Sequence, residues 1–348
     1  MKFKIIVPIA VAVLIAVAAY VYLPIKDSLK NSFSVRSSST VNVSTGSLYQ
    51  GNTVYGAAMN LAWNDLSETI VHGTIDLSVK NPRAQKLADT FNSAPFTKHD
   101  LDAASYYIKS GYGQSTVDTI NRESRQKFPD KSFGDLTVNL SDRDIIAYAY
   151  FLKKVEYPVE FSEDEVFFMN ESVKGFRAKN EQERSNVGIV SYRDEDHFLL
   201  KLILKDNADE LYLGKGYDMS DPDAVIRTIH QSRDALESMG EDDRFQMPKL
   251  HLDHERTYDD LVGSILKNQG FEDKEIQAML EKIKFDLDHK GVRVENEASM
   301  MVGTTSVQPI QRHKNLIFDK PFWVVMKRAS SERPYFVLGV NNTAVMVK

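Results

Sequence analysis

The stretch Val292–Met326, VRVENEASMMVGTTSVQPIQRHKNLIFDKPFWVVM, decides how this chain is read. It opens with Val292-Arg293-Val294, the apolar/polar alternation of a half-buried strand. It closes with Phe318-Asp319-Lys320-Pro321-Phe322-Trp323-Val324-Val325-Met326, an apolar run of strand type. Residues 295–317 between them have neither a helical period nor an apolar face. They hold Met300 and Met301, then Gly303-Thr304-Thr305-Ser306, then the basic group Arg312-His313-Lys314. A structureless connection of this length inside a compact domain is uncommon and is either functional or disordered. Residues 295–317 are therefore expected to form an exposed working loop between two strands.

Outward from the loop, Trp323–Lys327 and Tyr335–Val340 are expected to pair as a hairpin around Ser330-Ser331-Glu332. Before it come a strand over Phe285–Val294, a helix over Asp259–Gln269 ended by Gly270, and an alternating strand over Leu250–His254. A helix is expected over Pro222–Met239, with Asp221 near its start and Gly240 past its end. Shorter strands are expected at Glu165–Met169, Gly188–Tyr192, His197–Leu204 and Glu210–Leu213. The strongest strand is Asp144–Phe161. Its Ile145–Phe151 run is apolar on both faces, as a strand covered on both sides requires. Upstream, helical spacing marks Tyr55–Thr69, Asn81–Phe91 and Ser115–Lys127, and Ala103–Lys109 is β-type. Helices in the first half and strands in the second predict a mixed α+β fold.

With 348 residues, 42% of them hydrophobic and 10% aromatic, the chain can bury a sizeable core. The formal charge of -6 and the lack of basic stripes interleaved with aromatics argue against a nucleic-acid partner. There is no cysteine, which excludes disulfides, thiolate catalysis and Cys-ligated zinc. Lys2 and Lys4 precede an uncharged apolar run, Ile5–Ile25, of roughly the length that spans a bilayer. Val17-Ala18-Ala19 fits a signal-peptide cleavage site, whereas continuation through Tyr20-Val21-Tyr22-Leu23 favours a signal anchor. Either reading exports the chain, to the periplasm or the exterior. It is membrane-anchored if the segment stays and secreted if it is cleaved. The expected organisation is a leader over 1–25, a linker over 26–51 and a single domain over 52–348.

Other chemistry is thinly represented. His251-Leu252-Asp253-His254 is metal-like in composition, but on a strand His251 and Asp253 would share one face and His254 the other. Ser264-Ile265-Leu266-Lys267 matches S-x-x-K without its K-T-G partner. Gly111-Tyr112-Gly113 is followed by no phosphate-binding pattern and reads as a turn. Trp63 reads as a core residue of its helix. No metal, no cofactor and no catalytic residue of the chain's own is expected.

Four blocks, in order over about Ala103 to Asn342, together resemble the serpin family. They are the central strand Asp144–Pro158; Met247-Pro248-Lys249-Leu250 with Tyr258-Asp259-Asp260-Leu261 and Gln269-Gly270-Phe271; His289-Lys290-Gly291-Val292 with Glu297; and Phe318-Asp319-Lys320-Pro321-Phe322 followed by Tyr335–Asn342. The chain departs from the family pattern at Val155, where a tryptophan is frequent, and at Tyr148, where an asparagine is usual. Its first half is short, so the helix that normally lies across the large sheet is either missing or is Ser115–Lys127 itself.

The resemblance implies a large mixed β-sheet, smaller sheets and a reactive loop over 295–317. It implies a monomeric protein that inhibits a serine or cysteine protease without being an enzyme. The protease attacks a bait bond, and the cut loop then inserts as an extra strand in the sheet. Counting from Glu297 puts the bait at His313 or, one residue earlier, at Arg312; an exposed arginine suits a trypsin-like pocket. The loop hinge would be Glu297, Ala298, Ser299, Met300 and Met301. Small side chains enter a closed core most readily, and Met300 and Met301 are bulkier than that. The alternative is a non-inhibitory binding or structural protein of the cell envelope on the same fold.

Overall fold

The computed structural model describes residues 47–131, 133–232, 236–291 and 313–348. The chain opens with strands β1 (Ser47–Tyr49) and β2 (Asn52–Gly56), then helix α1 (Ala58–Leu66), which runs on as a π turn over Ser67–Val71. Next come β3 (Leu77–Ser78), α2 (Pro82–Asn92), β4 (Tyr106–Tyr112), α3 (Gly113–Lys127) and β5 (Ile145–Phe151). The hairpin β6 (Ser162–Phe168) and β7 (Glu171–Arg177) leads to α4 (Glu181–Arg184), then β8 (Val187–Asp194), β9 (His197–Leu202) and β10 (Asp209–Lys215). After α5 (Pro222–Gln231) follow β11 (Glu237–Ser238), β12 (Arg244–Pro248), β13 (Leu250–Thr257), β14 (Ile265–Leu266) and β15 (Leu280–Leu287). The chain ends with β16 (Asn315–Ile317), β17 (Phe322–Arg328) and β18 (Pro334–Val340).

These elements form two compact units. One comprises Tyr55–Leu152 and Asp253–Ile283; the other comprises Leu48–Val54, Lys153–Leu252 and Lys284–Lys348. In the first, β4 and β5 pair antiparallel, from Tyr106 opposite Phe151 to Tyr112 opposite Ile145. Ile145 through Tyr150 are all buried, so both faces of β5 are covered, as its unbroken apolar run requires. On the face of Tyr148 and Tyr150 lie Phe128 and Phe133, with ring centroids 5.0 and 6.0 Å from Tyr150. Lys131 sits over the Tyr148 and Tyr150 rings at 5.3 and 5.4 Å. Gly111 lets α3 approach, since a Cβ there would lie 2.5 Å from the Thr116 hydroxyl oxygen. Gly113, at φ +66°, makes the turn from β4 into α3. Between α3 and β5 no helix occurs among the described residues. Helix α2 starts as its sequence directs: the Asn81 side chain accepts from the Ala84 amide and Pro82 fills the first turn. Trp63 is a core residue, stacked on Phe91 at 5.1 Å with its indole N–H donating to Asn92.

The second unit holds an eight-stranded sheet in the order β1-β2-β18-β17-β10-β9-β8-β11 and a four-stranded sheet in the order β16-β12-β7-β6. The expected C-terminal hairpin is present, with Val324 opposite Leu338 and every residue of β18 buried. Phe161, Phe176, Phe245, Phe318 and Phe322 form one aromatic cluster with neighbouring centroids 4.9 to 6.4 Å apart. Helix α5 is capped by Asp221, whose carboxylate accepts from the Asp223 amide. Gly214 makes room for it, because a Cβ there would lie 2.7 Å from Val225.

Several sequence expectations are corrected. Asp259–Gln269 is not a helix but a series of turns around β14. Gly263 sits mid-stretch at φ +80°, and the Val262 carbonyl accepts from Lys80 Nζ instead of from a helical amide. Helix α5 stops at Gln231, not Met239, because Glu237 and Ser238 pair as β11 with Ile189 and Gly188 of β8. β5 ends at Phe151, ten residues short of Phe161 by the numbering, and Ala103–Ser105 is a 3-10 turn before β4. Phe285–Val294 is replaced by β15 followed by the turn Asp288–Gly291, with residues 292–294 outside the described set. Strand β7 had not been expected at all.

Candidate functional site: the two feet of the loop

The segment 292–312 joins two fixed points in the second unit. At its start, β15 delivers the chain to Asp288–Gly291. There the Lys290 amide donates to Asp288 at 2.8 Å, closing a tight turn. Gly291 bridges Glu156 antiparallel, the Tyr157 amide donates to the Lys290 carbonyl at 3.4 Å, and the Phe161 amide donates to the His289 carbonyl at 2.8 Å. This clasp requires glycine. Gly291 has φ +100°, and a Cβ there would lie 2.6 Å from Glu156 Cα and 2.8 Å from the Val155 carbonyl oxygen.

Charges gather at this foot. Glu163 pairs with Lys249, and His289 Nδ1 lies 3.6 Å from the same carboxylate. Lys249 first, and His289 after it, hold the Glu163 carboxyl below its ordinary range. Glu163 is exposed, so the pairing orients side chains more than it stabilises them. Beside it a half-open cavity of about 660 Å³ is lined by Lys154, Lys249, His251, Asp286, Leu287 and Gly291.

At the other foot, the Lys314 amide donates to Asp243 at 2.6 Å and the Arg244 amide donates to the Lys314 carbonyl at 2.9 Å. Lys314 Nζ pairs with Glu237 at 2.6 Å. β16 then runs parallel to β12, Asn315 opposite Arg244. Lys215, buried at 2% exposure, clamps the exit: its ammonium donates to the Ile317 carbonyl at 2.9 Å and pairs with Asp319 at 2.5 Å. A buried ammonium with this many acceptors is a satisfied charge, and it fixes the chain at the end of β16.

Of the sequence-predicted site residues, His313 is exposed, immediately before this second foot. Arg312 and the hinge residues Glu297, Ala298, Ser299, Met300 and Met301 lie outside the described residues. The positions singled out as departures are both core: Tyr148 is fully buried and Val155 is 5% exposed. β5 pairs with β4 along one edge and, among the described strands, with none along the other.

The remaining candidates separate. On β13, His251 is exposed and bonds Asp286 at 2.6 Å. His254 faces inward, its imidazole pushed down to about 4 by burial. Ser264 is fully buried, while Lys267 is exposed and lies 3.7 Å from Asp76. Neither pair brings a nucleophile to a base. What the sequence reading missed at the feet are the roles of Glu156, Asp243 and Lys215, none of which left a local signal, whereas Gly291 stood in the His289-Lys290-Gly291-Val292 block.

No family model matches the chain, and no curated protein matches it by sequence. Solved structures do match. The structure of mouse protein-Z dependent protease inhibitor aligns with a TM-score of 0.52 at 11% identity, covering 84% of this chain and 91% of that one. That of native protease nexin-1 with heparin aligns with a TM-score of 0.51 at 12% identity, covering 84% of this chain and 92% of that one. The class is thus a mixed α+β fold built around a large antiparallel sheet and smaller sheets. More particularly, this chain has the serpin fold.

Proposed function

We propose that this chain is a serpin-like inhibitor of a serine or cysteine protease, exported and held at a membrane through residues 5–25. Its bait bond is placed near Arg312. The reading rests on one observation: segment 292–312 connects two clasped feet of a serpin fold whose strand β5 has, among the described strands, no partner along one edge. One of the structural neighbours carries "protease inhibitor" in its name.

In the proposed mechanism the protease supplies the nucleophile. Its serine or cysteine attacks the bait carbonyl, an ester or thioester forms, and the amine of the following residue leaves. The new loop end stays attached to the protease and remains tethered to β15. Its backbone then adds to the β5 edge as a strand, carrying the acylated protease away from the second foot. The chain's own contribution is a bait, two anchors and a sheet edge.

Incubation with trypsin followed by a denaturing gel tests this reading. A boiling-resistant adduct of protein and protease is expected. Clean cleavage in 310–314 with no adduct would replace inhibition by the non-inhibitory reading, which the bulk of Met300 and Met301 favours. The tether is tested on the same protein by fractionation: deletion of residues 1–25 should move it from the membrane to the soluble fraction.

A further inference from the structure

Glu281 is the acid at the base of β15, the strand that carries the loop. Alternation along β15 puts Glu281, Ile283, Phe285 and Leu287 on the buried side and Lys284 and Asp286 outside. Three of those inward residues are apolar; Glu281, at 1% exposure, is not. Its carboxyl accepts from the Tyr258 hydroxyl at 2.7 Å and from the Met59 amide at 3.3 Å. Met59 lies in the first turn of α1, whose N-cap is Ala57, a residue without a capping side chain. Glu281 therefore supplies from β15 the acceptor that a helix start ordinarily takes from its own N-cap. Gly56 permits the approach, since a Cβ there would lie 3.3 Å from Glu281 Oε1 and 3.0 Å from Ile283.

The groups around this carboxyl are few. Tyr258 and Arg256 face it, the guanidinium lying over the Tyr258 ring at 3.9 Å. Tyr55 on β2 acts on Tyr258, and His254 on the same side of β13 is kept neutral by burial. Burial raises the affinity of Glu281 for its proton, against the opposing pull of Tyr258, Arg256 and the Met59 amide.

We propose that Glu281 is a proton-dependent latch between β15 and α1. Protonated, the buried carboxyl is neutral and still accepts from the Met59 amide, which holds the strand to the helix. When the proton leaves to solvent, a charge is left buried and β15 is held less firmly. The consequence for loop insertion rests on the inhibitor reading above; the latch itself does not.

The sign follows from linkage. A carboxyl that binds its proton more tightly folded than unfolded contributes stability that is fully present below the ordinary carboxylate range. That contribution is lost as pH rises through the folded value. The full chain and its Glu281→Gln and Tyr258→Phe variants are melted at pH 5 and pH 8, with amide hydrogen exchange read on β15. The unaltered protein should lose on the order of 3 °C more than Glu281→Gln between the two pH values. Its β15 amides at pH 8 should exchange about tenfold faster than those of the variant, after correction for intrinsic rates. Tyr258→Phe, which keeps the acid and removes a donor to its charged form, should widen the loss. Equal pH slopes in the unaltered protein and Glu281→Gln overturn the latch. Should Glu281→Gln not fold, an unwidened slope in Tyr258→Phe overturns it. None of these readouts uses a protease. Equal slopes with adduct formation intact remove the latch alone, and a missing adduct with unequal slopes removes the inhibitor reading alone.

Discussion

Replacing Gly291 by valine is expected to destabilise the protein by about 4 kcal/mol and to release the start of the loop. The left-handed backbone at φ +100° is open to glycine and costly for a β-branched residue. Any Cβ would also meet backbone, the Glu156 Cα at 2.6 Å, not the yielding end of a side chain. That backbone is held in turn, because the Lys205 amide donates to the Glu156 carbonyl at 2.8 Å and Lys205 Nζ pairs with the Glu156 carboxylate at 2.8 Å. The strain has no cheap exit except to open the clasp. Denaturant unfolding gives the magnitude, and limited proteolysis just after Gly291 reads the release. A loss under about 1 kcal/mol would show that this foot is not clamped.

Arg312→Ala is expected to slow adduct formation with trypsin about a thousandfold while leaving the melting temperature unchanged. A trypsin-like pocket binds the guanidinium through charge-assisted hydrogen bonds, and alanine offers none of them. The neighbouring His313 is exposed and is the other candidate in the same register. Sequencing the released C-terminal fragment separates the two, since cleavage after Arg312 gives a fragment beginning with His313. An Arg312→Ala protein that forms adduct at the original rate would move the bait bond elsewhere in the loop.

The sequence carried the frame of this fold well where local pattern and tertiary role agree. The two-faced apolar run of Ile145–Phe151 can only be a covered strand, and Asn81 with Pro82 announces a helix start. It misled where distant partners overrode local spacing. Leu261 and Leu266 look helical, yet Leu261 is buried from a turn and Leu266 from β14, in a stretch held by Lys80 and by the Ile276 carbonyl, which accepts from the Gly263 amide at 2.7 Å. Residues after Gln231 look helical until β8 recruits Glu237 and Ser238. Strand β7 was hidden by Lys174 and Gly175, and that glycine is needed because Met247 and Val166 leave no space for a Cβ. At the candidate site the expected end of the loop at Ile317 is corrected, because Asn315–Ile317 is strand β16 with Leu316 fully buried, and the clasps were not legible. Asp243 and Lys215 are bound to loop-flanking residues by contacts no one-dimensional pattern encodes. Glu281 had a faint signal, a lone acid in the inward period of Ile283, Phe285 and Leu287.

The proposed inhibition requires a cut loop to become a strand at the edge of β5 that has no partner among the described strands. One measurement addresses this most directly: the thermal midpoint of the protein before and after a single cleavage in 310–314, with the fragments left together. Each new ladder bond contributes about 1 kcal/mol, and alternate loop side chains are buried with it. The ordering cost is borne by a segment already tethered at Gly291. The midpoint is therefore expected to rise by about 10 °C or more. A midpoint that stays the same or falls would contradict insertion, and with it the proposed mode of inhibition.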